Sequence, residues 1–313
     1  MTTPYRICGL FCAVVLLSAG AAQAWTRPGH MVTAGIAYLD LAEHDPDVIE
    51  RIAALLALHP DRGPFEVAAG RALGDERTRR LMLECARWPD DARGTHYDHP
   101  SWHVALRSIR ESGKPDDKLF GDAIEAFALN AHLLASSFAP DADRAVALCW
   151  LMHIAGDMHQ PLHSAQRFTP QFPDGDHGGA LEFVKDPQTG EPITLHWFWD
   201  DSVNRNGEPD AVMTRARELW TKLPRSSFKE LSHPVHARDF PSWAQDESYP
   251  LAVSLAYRQD LRFGATKETA TALDPKYVED ATQAAEKRLT LSGYRLADLL
   301  REALKGTPLP QKH

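Results

Sequence analysis

Residues 153–163 read HIAGDMHQPLH. His153 and Asp157 stand four apart, so on a helix they share one face, one turn above the other. Pro161 ends any such helix, and His163 lies just past its last turn, able to bend back toward the same point. Two imidazoles and a carboxylate converging from so short a stretch suit a divalent metal such as zinc. Thirty-three residues after His163 the spacing recurs, as His196 and Asp200 in LHWFWDD. One His/Asp pair at helical spacing is ordinarily a surface or capping pair. Two such pairs with a flanking histidine favour a metal.

Outward from this stretch, the chain begins with an export signal. Arg6 gives a weakly basic start, Leu10 to Leu17 an apolar run too short to span a bilayer, and Ala22-Gln23-Ala24 an A-x-A cleavage site. Cleavage after Ala24 leaves 289 residues (313 minus 24), one domain over 25–313 that begins at Trp25. Removing Arg6 moves the formal charge from −9 to −10. That acidity argues against a protein reading nucleic acid through a basic surface, but not against a metal-centred phosphodiesterase, since bound zinc would dominate its local field. Only Cys85 and Cys149 remain in the mature chain, without a C-x-x-C, so any metal must be held by His and carboxylate. Both cysteines lie in apolar, helix-like segments, and a disulfide and two buried thiols fit equally well.

Apolar residues recur at helical spacing over Gly29–Leu41, Pro46–Leu58 and Arg71–Ala86, the last broken by Trp88-Pro89. Gly94–Pro100 reads as a loop. Asp122–Ser136 and Arg144–Met158 read as long helices, the second carrying the central motif. After a GDHGGA turn (175–180), Leu181–Val184 and Ile193–Leu195 flank DPQTGEP as a small β-hairpin. Residues 196–206, Ala211–Leu223, Ser242–Tyr257 and Asp274–Ala303 complete the helices, with a frayed tail from Gly306. The expected fold is mainly α, a single α-helical domain with one small hairpin.

Further ligands are available along the chain. Cleavage would expose the α-amino group of Trp25, with an ordinary pKa of about 8, so that near neutrality a metal can displace its proton. Its own carbonyl could close a chelate, and His30 follows five residues on. The plainer reading makes Trp25 an apolar plug and His30 a polar residue before a helix. Asp90 and His103 offer a carboxylate and an imidazole from separate segments. Asp91, His96, Asp98 and His99 compete with them, and spacing does not choose.

Trp25…His30, Trp88-x-Asp90-x-x-Arg93, Trp102-His103, the central motif through Gln160-Pro161-Leu162-His163, Gly178-Gly179 and His196-x-x-x-Asp200 together carry a resemblance. So do Trp243-Ala244-x-x-Glu247-Ser248 and Gly293-Tyr294-Arg295-Leu296-Ala297. In order from Trp25 to about Leu300, the chain resembles the secreted zinc-dependent single-strand-specific nucleases of fungi, plants and bacteria. Bacterial zinc phospholipase C shares that fold.

The resemblance implies three zinc ions. One would take Asp90, His103, His153 and Asp157; a second His163, His196 and Asp200; a third the amine and carbonyl of Trp25, His30 and the bridging Asp157. It also selects Asp90 and His103 over their neighbours. Asp90 is implied to orient the attacking water, and Arg93 to neutralise charge on the phosphoryl group, though Arg93 serves equally well as a structural partner of Asp90 or Asp91. The implied enzyme is a periplasmic or secreted monomer without stable membrane association. It would cleave single-stranded DNA or RNA, or a nucleotide. The chain departs from the family in having Val104-Ala105-Leu106 after His103, where many members carry an Asp that helps bind the base, and Gly178-Gly179-Ala180 in place of Gly-Gly-Asn. Trp102, His177 and Phe198 are alternative stacking surfaces. The competing readings are a phospholipase C on the same metals and a non-catalytic protein whose zinc only holds the fold.

Overall fold

A computed structural model describes residues 25–110, 118–307 and 309–310; the expected leader, 1–24, lies outside them. The chain forms a bundle around one helix, α6 (Asp141–Asp157), whose residues from Arg144 to Asp157 are buried apart from Val146. Asp141 and Asp143 favour its first turn by placing negative charge at the positive end of the helix dipole. Because α6 has almost no solvent face, it needs neighbours on all sides. Among them are α5 (Ala123–Ala135), α4 (Gly74–Asp91), α1 (Arg27–His44) and the long C-terminal α11 (Pro275–Leu304). At the start of α11, Asp274 accepts from the backbone N–H of Lys276 and Tyr277, at 2.7 and 3.3 Å, with Pro275 in the first turn. Helices α2 (Pro46–Leu56), α3 (Arg62–Ala69), α7 (Leu195–Asp200) and α8 (Pro209–Lys222) complete the outer layer. Among the described residues no helix is long and apolar enough to cross a membrane.

The mainly α expectation holds, with local corrections. Helix α4 is not broken at Trp88-Pro89 but runs on to Asp91. Pro89 removes one backbone donor in the last turn, and the Ala92 N–H still reaches Trp88 O at 2.9 Å. Helix α3 lies in the stretch between Leu58 and Arg71, to which no element was assigned; its Pro64 falls in the first turn, where no N–H is needed. The helix expected over 196–206 stops at Asp200, since Asn204 and Asn206 bond the local backbone instead. The helix expected over 242–257 forms, but alternates short α-turns (α9, Phe240–Ser242, and α10, Tyr249–Leu251) with π-turns at Trp243–Ser248 and Ala252–Ala256.

Two small sheets flank the bundle. The expected hairpin is β4 (Phe183–Lys185) against β5 (Pro192–Thr194), with β6 (Thr271–Ala272) added parallel to β4. A second sheet was not expected. In it β1 (Leu106–Arg110) pairs parallel with β3 (Ala165–Phe168), Arg107 facing Ala165, and antiparallel with β2 (Leu119–Phe120). Cys85 on α4 and Cys149 on α6 are free, buried thiols in contact, with their sulfurs 2.7 Å apart. The C-terminal tail is held at least to Thr307, whose carbonyl accepts from Arg51 Nε at 2.8 Å.

Candidate metal centre

The buried C-terminal end of α6 is where the histidines and carboxylates converge. His153 and Asp157 share one face there, as their spacing requires. His30 comes from α1 and stacks on His153 with ring centroids 3.8 Å apart, its Nε2 3.2 Å from Asp157 Oδ1. Gly156 makes this approach possible, since a Cβ there would lie 2.8 Å from His30 Nδ1. His103 arrives on the short 3-10 turn Pro100–His103, its Nδ1 3.2 Å from Asp157 Oδ2 and 2.9 Å from His153 Nε2. Asp90, in the last turn of α4, brings Oδ1 within 4.0 Å of His153 Nε2.

His163 follows Pro161 on a 3-10 turn and meets His196 from α7, their Nε2 atoms 3.1 Å apart, with Asp200 Oδ2 3.4 Å from His196 Nε2. The trios His30/His153/Asp157, Asp90/His103/His153 and His163/His196/Asp200 each present ligand atoms within 4.8 Å of one another. All eight of these residues are buried.

The donor set fits metal ions. His153, His163 and His196 each place Nδ1 against a backbone carbonyl, those of Ala86, His103 and Gly178, at 2.8, 2.6 and 2.7 Å. Carbonyls only accept, so each Nδ1 carries the proton and each Nε2 presents a lone pair. The lone pairs of His163 and His196 therefore face each other, an arrangement that a cation between them satisfies. Asp90 Oδ2, Asp157 Oδ1, Asp200 Oδ2 and both ring nitrogens of His30 are buried without a hydrogen-bond partner. Such groups are costly unless something binds them.

Electrostatics point the same way. Burial, then neighbouring histidines, push the His30 and His103 pKa well below the usual imidazole range, and burial lowers that of His153. Burial and the other carboxylates raise Asp157 and Asp200 well above theirs. Neutral imidazoles are the form a metal takes, and carboxyls held up in pKa release their protons when a cation arrives.

Among the competing residues, Asp91 pairs instead with Arg27 and Arg87, at 2.6 and 2.7 Å. Asp98 accepts from the Gly94 N–H at 2.7 Å. His96 and His99 pack on Tyr97 and Trp102. Asp90 and His103 are thus the pair brought to the cluster. Arg93 lies beside it, with Nη2 3.0 Å from Asp90 Oδ1. Trp25 is buried; its indole donates to Gly156 O at 3.0 Å, and the next N–H, that of Thr26, donates to Asp200 O at 3.2 Å. The backbone of Trp25 is thereby held between the ends of α6 and α7.

Spacing gave no role to the residues that brace the cluster. Gly178 and Gly179 adopt φ of +66° and +80°, and a Cβ on Gly178 would come within 2.4 Å of Leu162 O. This turn carries the carbonyl that orients His196. Behind the end of α6, Glu247 binds Arg288 and Arg295, Arg295 reaches His159 Nε2 at 2.9 Å, and Ser248 donates to Met158 O at 2.5 Å. His159 Nδ1 and Ser292 both bond Ala155 O. These contacts satisfy carbonyls that a helix end leaves open. Gly178-Gly179, Glu247-Ser248 and Arg295 stood in the sequence as part of the family resemblance, without a role; a further signal is the charged residues recurring on the otherwise apolar face of α11.

The chain matches the family model described as S1/P1 Nuclease over residues 25–305. It is 29% identical to Endonuclease 3 of Arabidopsis thaliana over 174 residues, 49% of this chain and 50% of that protein. It is 25% identical to Endonuclease 4 of the same plant over 307 residues, covering 92% and 91%. With Nuclease S1 of Aspergillus oryzae it shares 23% over 250 residues, covering 72% and 79%. The match thus spans about half the length of the first relative and most of the other two. A cluster built from α1, α4, α6, α7 and two 3-10 turns, within a match that runs almost from end to end of the described chain, makes this protein a member of the S1/P1 nuclease family.

Proposed function

We propose that the protein is an exported metal-dependent nuclease that hydrolyses phosphodiester bonds of single-stranded DNA and RNA, leaves 5′-phosphates and also acts as a 3′-nucleotidase. The facing Nε2 atoms of His163 and His196, each with Nδ1 committed to a carbonyl, carry this reading. Zinc is the metal proposed, in three ions. Asp90, His103, His153 and Asp157 hold one, His163, His196 and Asp200 another, and Trp25 (amine and carbonyl), His30 and Asp157 the third. When bound, zinc supplies a water acidic enough to be a nucleophile near neutral pH and positive charge for the phosphate. The chain's own groups do the rest. Asp90, anchored through Oδ1 to Arg93, orients the attacking water and holds its proton. Arg93 donates to the phosphoryl oxygens as charge develops there. The working protein is a monomer of one domain, 25–313, released to the periplasm or the exterior by cleavage after Ala24.

The test offers zinc-loaded mature protein single-stranded oligonucleotide and phosphatidylcholine side by side, with a chelated control. Chelator-sensitive cleavage of the oligonucleotide alone is expected. Lipid cleavage alone would move the protein to the phospholipase reading, and neither activity would leave zinc a structural role.

A further inference from the structure

Beside the metal cluster, on the far side of Trp150, lies a second cavity of about 420 Å³. Trp150 stands one helical turn before His153 on α6, with its ring 5.3 Å from that of His103 and 4.9 Å from that of Trp102. One aromatic layer thus separates this cavity from the metal ligands. Its walls are Tyr97, the stacked His99/Trp102 pair (3.8 Å, 13°) and Trp150; its polar groups include Asn130 on α5 and Asp143 on α6.

The lining chemistry selects the occupant. No Lys or Arg lines the cavity, while Asp143 does, so a phosphate is disfavoured. Asn130 is 3% exposed; its Nδ2 donates to Ala126 O at 2.7 Å, and its carbonyl makes no hydrogen bond with any described residue. An acyl chain would leave the Asn130 carbonyl unpaired, at a cost. A flat, polar-edged aromatic ring suits both the walls and the polar groups.

We propose that the cavity between α5, α6 and the 97–102 segment is a nucleobase subsite. It takes one base of the single strand whose neighbouring phosphate lies at the metal cluster. The inference rests on the nuclease reading above and adds where the strand is gripped.

Two variants test it without touching the cluster. Val146→Trp fills the cavity from α6, and Leu129→Trp does so from a half-exposed position on α5 that carries little folding risk. Each is assayed on a thymidine oligonucleotide, on the same oligonucleotide with one abasic residue scanned along it, and on ethyl 4-nitrophenyl phosphate, which has no base. In the wild type, kcat/KM should fall about tenfold or more at one abasic offset, as expected for a lost base–aromatic stack. Both variants should show that loss on the intact oligonucleotide, no further loss at that offset, and unchanged hydrolysis of the small diester. Variants that cleave the intact oligonucleotide like the wild type, or a wild type indifferent to every abasic offset, would overturn the subsite alone. A zinc-loaded wild type that cleaves no oligonucleotide would overturn both the subsite and the nuclease reading.

Discussion

The side-chain amide of Gln160 donates to Asp200 Oδ1 at 2.6 Å, joining the central motif to the second His/Asp pair 40 residues away. Its own carbonyl is fixed in turn by the Leu162 N–H at 2.5 Å. Gln160 is thus an orienting residue whose aim is set from both sides. Partners of this kind are worth roughly 10–100-fold in metal affinity. Gln160→Leu should weaken binding of one metal by that factor and leave the others in place, as read by metal titration with a competing chelator.

Asp157 stands between His30 on one carboxylate oxygen and His103 on the other. Asp157→Asn keeps the shape but removes the charge shared by two of the proposed sites. Metal content of the purified variant should fall by at least one ion while circular dichroism still reports the helices. An unchanged metal count would remove Asp157 from its bridging role.

The backbone of Trp25 is held between α6 and α7, and Trp25 itself is fully buried. One extra residue before Trp25 in the mature protein should cost one metal ion and most of the activity if the amine is a ligand. The measurement is metal stoichiometry on homogeneous N-termini. Full stoichiometry in the extended protein would exclude the amine.

Loading the cluster should stabilise the fold, because the unfolded chain has no assembled site. An ion at a free concentration 1,000 times its Kd adds about 4 kcal/mol. Thermal denaturation with and without a chelator should therefore separate by many degrees, and re-added zinc should restore the higher transition.

Away from the cluster, burial pushes the pKa of Glu84 on α4 up to about 7, against the opposing pull of Arg87. The folded state then binds more protons than the unfolded chain between about 4.5 and 7. Stability from this group is complete at low pH and is lost as pH rises through 7, by about 3 kcal/mol at most. Glu84→Gln removes that loss. It should be more stable than the wild type at pH 8 and equal to it at pH 4, as measured by urea denaturation.

The helices were legible because their apolar residues recur at 3.6-residue spacing, and the His/Asp pairs because four residues make one helical turn. What that spacing left undecided was settled by partners distant in sequence. Asp90 and Asp91 are adjacent and chemically equal; the family resemblance pointed to Asp90, and the salt bridges of Asp91 to Arg27 and Arg87 show physically why Asp90 is the one that turns toward His153. The sheet of β1 and β3 was invisible because each strand is short and its parallel partner lies some 58 residues away, beginning where His103 and His163 leave the cluster. Helix α4 was expected to end at Pro89 because proline usually ends helices; in a last turn it costs too little to do so.

The π-turn at Trp243–Ser248 is, in effect, an α-helix with one residue inserted. It brings Glu247 under Arg288 and Arg295, and Ser248 under the carbonyl of Met158. Each residue advances a regular helix by about 100°, so deleting one here would swing one side of the brace away from the other. The segment should therefore tolerate changes of side chain on its solvent face far better than a change of length. Among lengthened or shortened descendants of this sequence, those that keep a working cluster should keep the surplus residue.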